Sequence, residues 1–261
     1  MERLALLGST FFYFFSCCST LLAFRAGGFR PGRFHFVAIA LGVLCQSWFL
    51  MLRGDAERAC PIGTLPETLI FLSWSIGLFY LLIGPTYRVS LMGLFTAPLI
   101  LALQIVALFL PSGIPTSMPH NPWIEAHAAL SLVAFGAFGL AFVAGLMFLV
   151  QEKQLKSQHP SPIFHHLPPI RLLEGVTARL LLVGFILLTV SFVAGFLAGH
   201  SITGMKMWIA LLVWGGYCIT LLAHQGHRLS AHRLACLAVW IFAVALIALP
   251  AVRYFSHLAL S

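Results

Sequence analysis

The chain has 261 residues, of which 60% are hydrophobic and only 8% are charged. This composition excludes a soluble globule, because so few polar side chains could not cover its apolar surface. The net charge of +8 does not indicate a nucleic-acid partner, since the 15 lysines and arginines are scattered between apolar runs rather than gathered on one face or arm. We therefore predict an integral membrane protein that contacts lipid.

Eight apolar runs approach or exceed the roughly 20 residues that a helix needs to cross the hydrocarbon core. Most of them lack strand alternation, and an open sheet would leave backbone groups unpaired in lipid. The sequence therefore predicts an all-α fold, a polytopic membrane bundle of about eight transmembrane helices in a single domain over 1–261. The runs lie at approximately 3–24, 35–52, 67–83, 89–110, 123–150, 172–199, 207–224 and 234–252.

The basic residues predict the orientation of this bundle. Nine of them fall in loops on one side and five on the other. Since lysine and arginine accumulate in cytoplasmic loops, the richer side is expected to be cytoplasmic and both termini are expected to lie outside. The richer side carries Arg25, Arg30, Arg33, Arg88, Lys153, Lys156, Arg171, Arg228 and Arg233, and the poorer side carries Arg3, Arg53, Arg58, Lys206 and Arg253.

The cysteines exclude one class of protein. The six of them include no pair spaced to bind a metal and no CxxCH motif, so the chain is not itself a c-type cytochrome. Cys60 in an outward loop and Cys45 near the end of the second helix leave a structural disulfide open.

The fifth run carries a histidine, His127, just inside its beginning. Trp123, one turn earlier, is typical of the lipid-water boundary, and Lys153 and Lys156 close the far end. An ionisable side chain at this depth needs a partner. Taken alone, His127 fits either a hydrogen bond to a neighbouring helix or to interfacial water, or a ligand role.

Small residues recur at intervals of four in the fifth and sixth runs, which favours close packing of helix backbones. They are Ala137, Ala141 and Gly145, then Ser191, Gly195 and Gly199.

The last two helices add further histidines. The seventh ends at His224, seven residues after Tyr217 and on the same helical face, and His257 follows the eighth. Four histidines are expected on the outward side: His120, His127, His200 and His257.

Four ordered segments resemble the cytochrome c assembly family of haem-handling membrane proteins, of the CcsA and CcmC type. They are HAALSLVAFGAFGLAFVAGLMFLVQEKQLK, LLEGVTARLLLVGFILLTVSFVAGFLAG, KMWIALLVWGGYCITLLAHQGHR and a last helix followed by SHL. The stretch PETLIFLSW is similar to the beginning of the family's third helix. The resemblance covers most of the chain from the second helix onward.

The resemblance implies a set of haem ligands. Two outward histidines of that family serve as axial ligands to haem iron, and a third lies in the membrane at the end of the helix that resembles the seventh. By position these are His127 and His257 for the iron, and His224 for the membrane site. The haem would be held non-covalently. Iron accepts two neutral imidazoles along one axis, and His200 is the rival ligand on the same face.

Two departures separate the chain from the full haem-ligating members. Those carry a tryptophan-rich outward loop between the sixth and seventh helices, whereas this loop is only HSITGMK. Gln46 stands where many relatives have a histidine. The chain is therefore similar to the shorter, HemX/YpjD-like branch of the family.

The resemblance implies a haem-handling, multi-pass protein of the bacterial inner membrane, in c-type cytochrome biogenesis or a related haem pathway. It would act with other assembly proteins as an assembly or haem-delivery factor rather than as a free-standing catalyst. One alternative is a haem-free regulatory or scaffolding protein of the same fold. A small-solute or proton transporter is a weaker alternative, because no acidic residue is expected at mid-membrane.

A reporter enzyme that is active only in the cytoplasm tests the orientation. Fused after Ser261 it should be silent, because an even number of crossings returns the chain to the outside. The same reporter inserted beside Arg88 or after Lys156 should be active. Strong activity after Ser261 would contradict the count of eight crossings.

Overall fold

A computed structural model describes residues 2–25, 33–87, 92–111, 121–157, 168–199 and 205–258. Over these ranges the chain forms eight α-helices and no strand, which confirms the all-α prediction. The helices are α1 (Glu2–Arg25), α2 (Arg33–Glu57), α3 (Leu65–Tyr87), α4 (Met92–Phe109), α5 (Pro122–Ser157), α6 (Ile170–Leu197), α7 (Met205–Gln225) and α8 (Ala231–Leu258).

Helices α5 and α8 extend furthest beyond their predicted apolar runs. Helix α5 continues from residue 150 to Ser157 through QEKQLKS, because glutamine, glutamate, lysine and leucine are good helix formers even where they are polar. Helix α8 continues through Pro250 to Leu258. The expectation that His257 lies beyond the end of the last helix is therefore wrong, since its backbone belongs to the final turn of α8.

Seven of the eight helices are long and apolar enough to cross a membrane, among the residues that the structure describes. Helix α1 forms over the expected residues but is not among the seven. Three of its polar side chains, Ser9, Ser16 and Thr20, are buried. The chain is a multi-pass helical bundle, and the outward position of both termini stays a prediction.

The contacts divide the chain into two compact units, with the boundary inside α5 between Lys153 and Gln154. The N-terminal unit contains α1 to α4, and the C-terminal unit contains α5 up to Lys153 together with α6, α7 and α8. The single domain over 1–261 stays a prediction.

A chain of buried polar groups runs through the N-terminal unit. Tyr13 Oη of α1 donates to Gln46 Oε1 of α2 at 2.6 Å, and Gln46 Nε2 donates to Ser73 Oγ of α3 at 2.7 Å. Gln46 has no exposed surface. Because an unpaired amide in an apolar interior is costly, these bonds explain how Gln46 is tolerated there and tie three helices together.

At one end of the same unit, Arg53 forms ion pairs with acidic residues, one of which caps α3. Glu67 Oε2 accepts from the backbone N–H of Thr64 at 2.9 Å, while Thr64 Oγ1 accepts from the N–H of Glu67, forming a capping box at the beginning of α3. Arg53 Nε donates to Glu67 Oε1 at 2.9 Å and also pairs with Glu2 and Glu57. The buried Glu67 is thus paired by a cation and by backbone, as a buried carboxylate requires.

Helix α5 forms the centre of the C-terminal unit. Its Phe138 ring stacks on Tyr217 of α7 with the ring centroids 3.8 Å apart, and lies so close to Gly184 of α6 that a Cβ there would fall 2.5 Å from the ring. A Cβ on Gly145 would lie 3.1 Å from the backbone oxygen of Ala235 in α8. The small residues of α5 and α6 therefore do permit close packing.

The contact between the rings of Phe142 and Phe242 helps to establish the relative direction of α5 and α8. Their centroids lie 5.3 Å apart, and Gly145 packs on Ala235. Later residues of α5 thus meet earlier residues of α8, so the two helices are antiparallel.

Candidate functional site

The sequence around Asn121 begins α5 at a defined residue and so sets the depth of His127. The side-chain oxygen of Asn121 accepts from the backbone N–H of Trp123 at 3.0 Å, which makes it the N-cap, and Pro122 occupies the first helical position. Proline suits that position because it has no N–H to leave unpaired. His127 follows in the second turn, half-buried.

His127 is held by α6 through one ring nitrogen. Its Nδ1 lies 2.7 Å from the backbone oxygen of Ser191 and 3.0 Å from Ser191 Oγ. Because a carbonyl oxygen only accepts, Nδ1 carries the proton and Nε2 carries the lone pair of the neutral ring. This is the arrangement of histidines that bind a metal through Nε2, whose other N–H usually donates to a carbonyl or carboxylate.

Two serines and one glycine fix the ring against α6. Ser131 Oγ and Ser191 Oγ each donate to the backbone oxygen of His127, at 2.7 and 2.9 Å, and the two hydroxyl oxygens lie 2.6 Å apart. A Cβ on Gly195 would lie 2.8 Å from His127 Nδ1. The imidazole reaches the Ser191 carbonyl because Gly195 has no side chain. We call these four residues the His127 anchor.

Of the other three histidines predicted on the outward side, only His257 belongs to the residues that the structure describes. His257 lies fifteen residues after Phe242 on α8, and His127 lies fifteen residues before Phe142 on α5. Since those two phenylalanines pack together and the helices are antiparallel, residues 127 and 257 stand at the same level of the unit. His120 and His200 lie outside the described residues.

His224 stands at the opposite end of the C-terminal unit from the His127 anchor. It lies in the last turn of α7, which ends in a Schellman turn: Arg228 N–H donates to the oxygen of Ala223, and His227 N–H to that of His224. His227 adopts a φ of 54° there. The short turn into α8 then leads to Ala235, which packs near the far end of α5. The structure therefore does not bring His224 together with His127.

Two polar atoms on one face of α7 are buried without a hydrogen-bond partner among the described residues. They are His224 Nδ1 and Tyr217 Oη, and Tyr217 has no exposed surface. Sequence reasoning identified His224 but treated Tyr217 only as its neighbour. A buried donor without a partner is costly, so both positions are compatible with a partner from outside the chain.

Sequence reasoning missed the roles of Ser191 and Gly195 at His127, although it noted both as small residues. It also left a Cys45–Cys60 disulfide open, and these two cysteines do not form one. Among the described residues, no group of three or more histidine, cysteine or acidic side chains could hold a metal ion.

Comparison with known proteins gives a consistent result. A model of the family described as "Cytochrome C assembly protein" matches residues 62–259, from just before α3 to the end of α8. The Protein HemX of Brevibacillus brevis is 29% identical over 176 residues, which cover 64% of this chain and 65% of that protein. The cytochrome c biogenesis protein CcsA of Nostoc punctiforme is 26% identical over 142 residues, 50% of this chain and 40% of that protein. The CcsA of Chlorella vulgaris is 30% identical over 115 residues, 42% of this chain and 36% of that protein. The chain thus spans less than two thirds of the length of the curated relatives that it matches.

Replacing Gly195 by alanine tests the His127 anchor. The new Cβ must displace the imidazole, so the variant should lose about 1–3 kcal/mol of stability, as overpacking of a buried contact does. Thermal unfolding of the detergent-solubilised protein measures the loss.

The matched control is Gly175→Ala on the same helix, where a Cβ meets nothing within 4 Å. It should leave the melting temperature unchanged or raise it, because alanine favours a helix over glycine. Equal melting of the two variants would contradict the close contact at Gly195.

Proposed function

Since the chain belongs to the cytochrome c assembly protein family, we propose that it binds haem at the end of the C-terminal unit where α5 begins. The family gives it a haem-related membrane role in cytochrome biogenesis. Within that role, the proposal assigns haem to His127 and His257 as axial ligands, and His224 to a separate site. The bacterial inner membrane is the proposed location.

The observation that carries this proposal is the hydrogen bond from His127 Nδ1 to the Ser191 carbonyl. It fixes the neutral tautomer that binds iron and stops the ring from turning, so the residues fit one axial position of a haem. Bound haem would supply an iron centre that accepts imidazole ligands. The chain would supply ring orientation, a half-buried position near a helix end, and apolar helix surfaces for the porphyrin.

The register of α5 and α8 supports His257 as the second ligand. Residues 127 and 257 each stand fifteen positions from a packed phenylalanine pair, at one level of the unit. Two helices at that level can approach one haem from its two faces. His200 is the rival, since it directly follows Gly199, which lies two residues beyond the end of α6.

His224 is proposed to serve a second site, completed from outside the chain. Its buried Nδ1 has no partner among the described residues, and it lies at the other end of the unit from His127. An assembly partner in the membrane, or a haem on its way across, would provide the missing contact.

A haem-free scaffolding protein is the second candidate. The connection between α6 and α7 runs only from Ala198 to Gly204, which favours a role that needs no large outer loop. Haem binding separates the two candidates.

Visible spectra of the purified full-length chain supplied with haem make that test. The wild-type protein should give a low-spin spectrum with two nitrogen ligands. Substitution of either His127 or His257 by alanine should shift it toward high spin and weaken haem binding at least about tenfold, because an axial bond is lost. His159→Ala, between α5 and α6 in the sequence, serves as the control and should leave the spectrum unchanged.

The remaining outcomes each have a definite meaning. An unchanged spectrum in His257→Ala, with loss in His200→Ala, would show that the second ligand is His200. A wild-type chain that never binds haem would support the scaffolding candidate and overturn the proposal.

A further inference from the structure

Three side chains meet at the end of the C-terminal unit remote from His127. Glu152 Oε2 of α5 lies 2.5 Å from His232 Nδ1 of α8, and His232 Nε2 lies 3.5 Å from Cys236 Sγ. We infer that Glu152, His232 and Cys236, here called the Cys236 relay, activate the Cys236 thiol toward small disulfides. This inference does not depend on haem.

Local sequence builds the relay. Ser230 caps α8, since its oxygens accept from the N–H groups of Arg233 and Leu234. His232 and Cys236 are four residues apart in the first two turns and therefore share one face. The antiparallel packing that sets Gly145 against Ala235 also brings Glu152 of α5 to His232.

The contacts run from the Glu152 carboxylate to the His232 imidazole and on to the Cys236 thiol, which is the order that activates a nucleophile. A carboxylate accepts, so His232 donates from Nδ1 and leaves the lone pair on Nε2, which faces the thiol. The imidazole can then take the thiol proton, and Glu152 stabilises the resulting imidazolium. Nucleophile, base and an orienting acid thus stand in sequence, as in other thiol nucleophiles.

The relay is also accessible. The His232 side chain is 51% exposed, and Cys236 is half-buried. A cysteine that served only to fill the core would lie among apolar side chains away from any base. Because His232 and Cys236 lie in the first two turns of α8, beside the charged Arg233, we expect water-soluble reagents to approach Sγ from the end of the unit.

A disulfide is the substrate class that these groups suit. The Cys236 thiolate attacks one sulfur, an Sγ–S bond forms, and the S–S bond of the small disulfide breaks. The departing thiolate takes the proton held by His232. Cys236 ends as a mixed disulfide and one small thiol is released, so the substrate itself is the oxidant. Attack on sulfur creates no oxyanion, and the three side chains therefore provide what the exchange needs.

The rate at which each cysteine reacts with iodoacetamide tests the activation. The full-length chain in detergent is alkylated for increasing times, and mass spectrometry follows each thiol. Cys218 of α7 is the internal reference, since it too is half-buried and free. Cys236 should react at least roughly tenfold faster, because an unassisted thiol is only a few per cent thiolate at neutral pH.

Two variants and one further probe complete the test. His232→Gln should bring Cys236 to the rate of Cys218, and Glu152→Gln should lower it less, since Nε2 stays near the thiol. Oxidised glutathione should form a mixed disulfide at Cys236 in the wild-type chain that dithiothreitol reverses.

Three results would overturn the inference. Equal rates for Cys236 and Cys218 in the wild-type chain would show that the thiol is not activated. An unchanged Cys236 rate in His232→Gln would remove the base. Fast alkylation without any reaction with oxidised glutathione would exclude the disulfide as substrate.

Discussion

The hydrogen bond between His127 Nδ1 and the Ser191 carbonyl is the contact on which the proposed haem ligation depends. It decides which ring nitrogen carries the lone pair, and it exists only because Gly195 leaves room for the imidazole. Ser131 and Ser191 hold the backbone oxygen of His127 in turn. The packing of α5 on α6 therefore sets the orientation of the proposed ligand. A substitution in α6 that alters this packing is expected to move the His127 ring.

Two buried polar side chains, Gln46 and His224, differ in whether they have a hydrogen-bond partner among the described residues. In the N-terminal unit both ends of the Gln46 amide are bonded, to Tyr13 and to Ser73. Gln46 is therefore explained as a structural group. In the C-terminal unit His224 Nδ1 is buried without a partner among the described residues. Since buried polar atoms are normally paired, the unpartnered His224 Nδ1 supports the proposal of a partner from outside the chain, which the Gln46 amide does not need.

Hydropathy and length predicted the eight helices of the described residues. A chain that crosses lipid must pair its backbone polar groups internally, and a single helix does so within one segment. The ends of α5 and α8 were missed, since polar helix formers carry the first past its apolar run, and α8 continues through Pro250. His127 was identified from its depth. Its partners were not, because Ser191 is 64 residues away and binds through its backbone, which no side-chain spacing reveals. Likewise the His232 and Cys236 spacing was visible, but Glu152 lies 80 residues before His232.

The most direct measurement is the structure of the full-length chain loaded with haem in a lipid nanodisc, determined by electron cryomicroscopy. We expect iron bonded to Nε2 of His127 while Nδ1 still donates to the Ser191 carbonyl. Iron bonded to Nδ1, or a haem bound with His127 turned away from α6, would contradict it.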